Sequence, residues 1–273
     1  MKKQKKINLV LEILMWVLSI IVIYPLLMVI LTSFKTKVEA SYLKASFPVH
    51  WMFENYKTVL ETGNVILAFK NSIIITVTAV ILLLVLTSLF SYILVRRDTK
   101  VCRFLYRVIT LAIIAPFAAM PTVQLLKVLN IYGSQFGLIM VYCALYTPFS
   151  VMLFSSFVKG IPKELDEAAV MDGATGARLF LFVICPLLKP VMATTATLNF
   201  MWVWNELQIP LYLLNSSRKW TLPLSVYNFY GQFSKSWNLV CADMVLISIP
   251  VIIIYVAAQK YVISGMTAGA VKG

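Results

Sequence analysis

Chemistry needs titratable, ligating or nucleophilic side chains gathered in groups, and this sequence gathers few of them. Its one histidine, His50, stands apart from any second ligand, which excludes His-rich ligation of haem iron or catalytic zinc. None of the ten glycines is followed by lysine, so the phosphate-cradling GxxxxGK[ST] loop is missing. Cys102, Cys143, Cys185 and Cys241 lack a CxxC spacing and read as buried free thiols. No catalytic residue, metal site or resident cofactor is expected. Two groupings remain. The stretch KELDEAAVMDGATG, residues 163–176, sets four acids among alanines and glycines. Farther on, Asn199, Trp202, Asn205 and Glu206 combine amides, a carboxylate and an aromatic face, which suits a hydroxyl-rich ligand.

The elements that must position these residues are membrane helices. With 60% hydrophobic residues and a mean hydropathy of +0.86 over 273 residues, the chain exceeds what a soluble core hides. Charge-poor runs near the ~20 residues that cross hydrocarbon predict six spans, at about 13–34, 71–95, 108–126, 136–158, 191–214 and 239–258. No alternating barrel pattern competes with them. The first apolar run is longer than the ~7 to 15 residues of a signal-peptide core, so it reads as an uncleaved helix despite the opening MKKQKK. The fold class is an all-α membrane protein with six transmembrane helices.

Charge sets the orientation. With the amino terminus inside, the cytoplasmic segments hold 15 of the 24 Lys and Arg: four before the first span, five at 96–107, four at 159–189, then Lys260 and Lys272. That is the positive-inside bias, with both termini cytoplasmic at the cell membrane. The same distribution accounts for the formal charge of +13 without a nucleic-acid groove, because the cations flank spans and line no soluble surface.

The 163–176 stretch then falls in the cytoplasmic loop 159–190. Pro162 suits the first position of a short helix, and Glu164, Asp166 and Glu167 place negative charge at its positive end. Leu165, Ala168, Ala169 and Asp172 recur at i, i+3, i+4 and i+7, a small-residue face that another protein can approach closely. Lys163 and Glu167 are spaced to pair. Gly173 is a left-handed stop, since a Cβ there costs about 1 to 2 kcal/mol. The expectation is an elbow, a short exposed helix joined stiffly to the fifth span. An amphipathic helix on lipid ordinarily shows a basic polar face and bulky apolar residues, which this one lacks.

Outside the membrane, 35–70 reads as a short cap. Trp202, Trp204, Tyr212, Trp220, Tyr227, Tyr230 and Trp237 read as interfacial anchors or a contact surface. Pro25, Pro116, Pro121, Pro148, Pro210 and Pro250 predict kinks in every span but the second. Glu206 and Asp243, the acids within span limits, must face protein or water.

EAAVMDGA, with Pro186 thirteen residues past Gly173, resembles the EAA loop of binding-protein-dependent ABC importer permeases. TSFKT, FPVHWMFENY, NSIIIT, SYILVRR, WNELQIPLYLL and GMTAGAVKG extend the resemblance along the chain, most closely to the smaller partner of the maltose-type permease pair. The departure is Cys185, where the family prefers leucine. The resemblance implies a type I ABC importer permease fold divided as 1–66, first helix and extracellular segment; 67–262, transmembrane core with coupling loop 159–190; and 263–273, cytoplasmic tail.

It also implies partners: a second permease in a heterodimer, two ATP-binding subunits holding ATP and Mg2+, an extracellular solute-binding protein reached by loop 215–238, a sugar substrate and surrounding lipid. Leu165, Glu167, Ala168, Ala169, Asp172 and Gly173 become the ATPase-coupling residues. Asn199, Trp202, Asn205 and Glu206 remain candidates for the translocation path. The residues alone leave a second reading open, an ion-coupled carrier or channel with a regulatory loop, although such a carrier ordinarily sets several ionisable groups at mid-membrane.

Overall fold

The computed structural model describes residues 2–230 and 236–270. Residues 231–235 of the 215–238 loop, and Lys272 in the last three residues of the tail, lie outside the described residues. The described backbone is helical, with four helices long and apolar enough to cross a membrane: Leu11–Ser33, Val65–Arg96, Gln135–Lys159 and Trp237–Ala257. Contacts group the chain into two compact units, Met1–Ala68 with Leu222–Pro250, and Phe69–Thr221 with Val251–Gly273.

In the first unit, α1 (Lys2–Ser33) supplies a 23-residue apolar stretch, about 34 Å of helix at ~1.5 Å per residue. It ends in short-range turns, and Thr36 then opens α2 (Lys37–Ser41) with a capping box in which Thr36 and Glu39 satisfy each other's backbone N–H groups. A second Glu39 oxygen accepts the Val49 N–H at 3.1 Å. These backbone donors hold the half-buried Glu39 carboxyl below its usual pKa. Buried Lys35 donates to the Lys44 carbonyl at 2.6 Å, and Asn55, on α3 (Glu54–Thr62), donates to the Ser33 and Lys35 carbonyls at 2.8 and 2.9 Å. Phe34 sits 5.2 to 5.3 Å from the rings of Trp51, Phe53 and Tyr56.

The second unit is organised on α4 (Val65–Arg96), which among the described membrane-length helices is the one without proline. The expected third span, 108–126, is not one helix. α5 (Lys100–Leu111), capped by the Thr99 side chain, passes through a 3-10 turn at Ala112–Ile114 and stops, and α6 (Ala119–Val128) starts after an extended break. Pro116 is the reason: it offers no N–H and pushes Ala115 to an extended conformation, ψ 121°. α7 (Gln135–Lys159), capped by Ser134, keeps Pro148 within a continuous helix.

α8 (Glu164–Met171) occupies the loop. After it come a π-helical turn, Leu179–Ile184, and α9 (Cys185–Leu187), which meets α10 (Lys189–Asn205) at a bend of 73°. The expected fifth span, 191–214, is also interrupted: Glu206 is extended, and α11 (Gln208–Leu213) resumes two residues later. α12 (Trp237–Ala270) is the last helix.

One buried cluster joins Ile75, Ala79 and Leu83 of α4 to Leu138 and Tyr142 of α7 and to Val203 of α10. Another gathers Phe154 and Val158 with Phe180, Ile184, Leu188 and Val191, so the loop's return arm is packed.

Candidate functional site: the elbow loop and a ring-lined cavity

α8 starts later than the sequence suggested. Lys163 is its N-cap residue and Pro162 lies just outside, while Glu164, Asp166 and Glu167 fill the first turn, where the helix's unpaired N–H groups favour negative charge. The expected Lys163–Glu167 pair does not form. Lys163 and Glu167 are exposed, and Asp166 turns the other way, to Arg96 at the end of α4.

The face expected to be exposed is split. Leu165, Glu167, Ala168 and Asp172 are exposed, but Ala169 is only 8% exposed and packs inward. Two neighbours not foreseen, Val170 and Met171, are exposed as well, Met171 at 87%. A spacing of i, i+3, i+4, i+7 marks a stripe about a third of the way round a helix. It does not say which edge of the stripe faces the chain's own core.

The helix ends on Gly173, φ +84°. The Ala174 N–H reaches the Ala169 carbonyl at 2.9 Å and the Gly173 N–H reaches the Val170 carbonyl at 3.0 Å, the paired bonds of a Schellman stop. Gly176 is left-handed too, φ +46°.

The second grouping gives a cavity of about 570 Å³, lined by Ile113, Tyr146, Phe149, Trp202, Asn205 and Glu206 among others. The Trp202 ring lies 4.8 Å from Phe149 and 5.4 Å from Tyr146. Asn205 donates its amide N–H to the Met201 carbonyl at 2.8 Å, leaving its oxygen available. Glu206 sits in the break between α10 and α11, where one carboxylate oxygen accepts the Gln208 and Ile209 N–H groups at 2.8 and 3.1 Å. Its other oxygen is unused by α11.

Asn199 is not in this wall. It is fully buried and donates to the Ser150 hydroxyl at 3.0 Å, tying α10 to α7. Leu198, Met201, Trp202 and Asn205 form the lining stripe, and Asn199 is one step round from it. Trp204, read as an interfacial anchor, is buried and stacked on Phe200 at 5.4 Å. Sequence reasoning missed Tyr146 and Phe149, although Tyr142, Tyr146 and Phe149 stand at i, i+4 and i+7 on α7. It missed Arg96 because the partner acid is 70 residues away. Asp243, within α12, accepts from the Ser225 hydroxyl at 2.7 Å, an internal contact.

Residues 95–268 match the family described as binding-protein-dependent transport system inner membrane component. The chain is similar to a probable starch degradation products transport system permease protein, AmyC, of Thermoanaerobacterium thermosulfurigenes, at 34% identity over 94% of both chains. It is similar to the melibiose/raffinose/stachyose import permease protein MelC of Bacillus subtilis, at 33% over 91% of both. It matches the multiple sugar-binding transport system permease protein MsmG of Streptococcus mutans at 34% over the full length of each. In fold it superposes on a chain of a bacterial ABC transporter that imports the acidic polysaccharide alginate, with a TM-score of 0.82, 24% identity, and 96% and 98% of the two chains covered. Among the described residues, four membrane-length apolar helices, or five if the pair bent before Lys189 is one span, are roughly consistent with the six crossings expected, the run at 108–126 being divided at Pro116. The chain belongs to the binding-protein-dependent transport system inner membrane components and is a multi-pass permease subunit of a carbohydrate ABC importer.

Proposed function

We propose that this permease forms half of a sugar pathway whose access alternates between the two membrane faces, and that α8 is the helix through which a cytoplasmic ATPase drives it. The observation behind this reading is the shape of α8. It is short, acidic at its start, small-sided at Ala168, exposed along Leu165, Glu167, Ala168 and Asp172, and stopped on a left-handed glycine. Ala169 braces it from inside.

Two ATP-binding subunits hold ATP and Mg2+ and clasp α8 of this chain and its counterpart on a second permease. Closing on ATP, they favour the outward-open arrangement, and hydrolysis returns the inward-open one. This works only if the ATPase binds the two arrangements with different affinity, since equal binding shifts no population. Both termini face the cytoplasm, and loop 215–238 faces an extracellular solute-binding protein.

The cargo is a neutral oligosaccharide or smaller sugar, in keeping with the names of the similar permeases. Trp202, Tyr146 and Phe149 offer ring faces to a pyranose, while Asn205 and Glu206 accept from its hydroxyls. The stand-alone carrier reading finds no counterpart among these relatives.

Ala168→Trp tests the docking. Overpacking a close contact costs about 1 to 3 kcal/mol, roughly 5- to 150-fold in affinity. The variant is expected to insert normally and to lose the copurifying ATPase and sugar uptake. Full uptake at wild-type expression would contradict the reading.

A further inference from the structure

The turn at Gly173 is held by its own backbone bonds and by no side chain packed against it. Gly173 and Gly176 both have left-handed φ, and nothing lies within 4 Å of where a Cβ would stand on either. Past them the chain meets a π-helical turn and then the 73° bend before α10. Along the backbone, the route from α8 to α10 changes direction at the two glycines and again at the bend before α10.

A second route is packed. Tyr92 and Arg96 stand one turn apart at the end of α4, and each grips a different arm of the elbow. Both terminal nitrogens of Arg96 donate to the Ile161 carbonyl at 3.1 Å, where α7 gives way to α8. The Arg96 Nε lies 2.5 Å from Asp166 Oδ2, with the two side chains only 11% and 16% exposed. Tyr92 lies 5.6 Å from the ring of Phe180 on the return arm, and the Arg96 guanidinium sits 6.0 Å from the Tyr92 ring. Leu84 and Val95 of α4 pack against the same cluster as Phe154, Val158 and Ile184.

An arginine fork held by a carbonyl and a carboxylate has fixed direction as well as charge, which a lysine in its place lacks. A low-exposure pair of this kind contributes more to geometry than to net stability.

We infer that the inner end of α4 is the splint of the coupling loop, with Arg96 the positioning residue that passes movement of α8 into the spans. The inference rests on the reading that α8 docks on the ATPase. When α8 is pushed, Asp166 and Ile161 carry Arg96 with them, and α4 moves with the cluster it shares with α7. Gly173 then supplies the turn, and α4 supplies the stiffness.

The test uses the assembled transporter in nanodiscs, with both permeases, the ATPase pair and the solute-binding protein. Two readouts are taken: the proportion of ATPase retained in the complex, and the factor by which the binding protein stimulates ATP hydrolysis. Arg96→Gln and Asp166→Asn are expected to retain the ATPase in wild-type proportion while the stimulation factor falls by about fivefold or more, the lower end of ordinary coupling between sites. Arg96→Lys falls between. The exchange of Arg96→Asp with Asp166→Arg recovers part of the factor, which a folding defect does not do.

An undiminished factor in both single variants overturns the splint. So does loss of the ATPase from their complexes, since Arg96 and Asp166 then serve docking or folding instead. If Ala168→Trp complexes keep their ATPase, the docking reading fails on its own, whatever Arg96 does.

Discussion

Gly173 and Gly137 illustrate how differently two glycines are used. At Gly173 the demand is conformational only, so Gly173→Ala is expected to cost about 1 to 2 kcal/mol of left-handed strain, with no clash to relieve. Gly137 sits in the first turn of α7, where alanine is the better helix former by ~1 kcal/mol. Its added methyl runs into the Ile131 carbonyl oxygen, a backbone atom that cannot swing aside. Gly137→Ala is therefore expected to destabilise by about 1 to 3 kcal/mol, against its propensity. Thermal unfolding of the purified permease reads both, and a Gly137→Ala protein that melts higher would contradict the packing. Glu206 caps α11, and on the proposed pathway it also meets the sugar. Glu206→Gln keeps an acceptor for α11 and is expected to leave melting unchanged while lowering uptake roughly tenfold, the scale of one hydrogen bond to a charged group. Glu206→Ala loses the cap as well, at about 1 kcal/mol. Unchanged uptake in Glu206→Gln removes it from the path. The stop at Gly173 was legible in sequence because only its own backbone decides it. Asn199 was misplaced because its partner, Ser150, belongs to another helix.

At the scale of elements, sequence reads where apolar runs lie better than whether each run is one helix. The second span is legible because it has no proline, and α4 is unbroken. Pro148 and Pro116 are the same residue type with opposite outcomes: α7 continues through one, whereas the other ends a helix. The difference shows in the residue before each proline, extended at Ala115 and helical at Thr147. The break at Glu206 depends on a side chain bonding forward to Gln208 and Ile209, a local device that hydropathy averages away. Thr36 and Glu39, by contrast, form a capping box that the T-x-x-E spacing announces. For α8 the sequence identified the stripe and missed its inner edge. Since Ala169 is buried and Ala168 exposed, Ala169→Leu is expected to lower the stability of the permease itself by about 1 to 3 kcal/mol. Ala168→Leu should stay within about 0.5 kcal/mol, as surface changes do. Equal melting of the two would place both alanines on one exposed face.

At the scale of the molecule, much apolar surface is left uncovered: none of the most apolar 18 residues of α1 is buried, and only 22% of the corresponding 18 in α12. For a permease this is what lipid and a second permease cover, and the proposed docking lies at the loop 159–190, which balances four acids against four cations where the segment 96–107 carries five cations and one acid. That claim is tested most directly by a photoreactive benzoylphenylalanine at Ala168, irradiated in native membranes, with the same residue at the exposed Ile20 of α1 as reference. An adduct is expected between the Ala168 position and an ATP-binding subunit, and none from Ile20. Adducts from Ala168 with phospholipid alone, in membranes that still take up sugar, would contradict it.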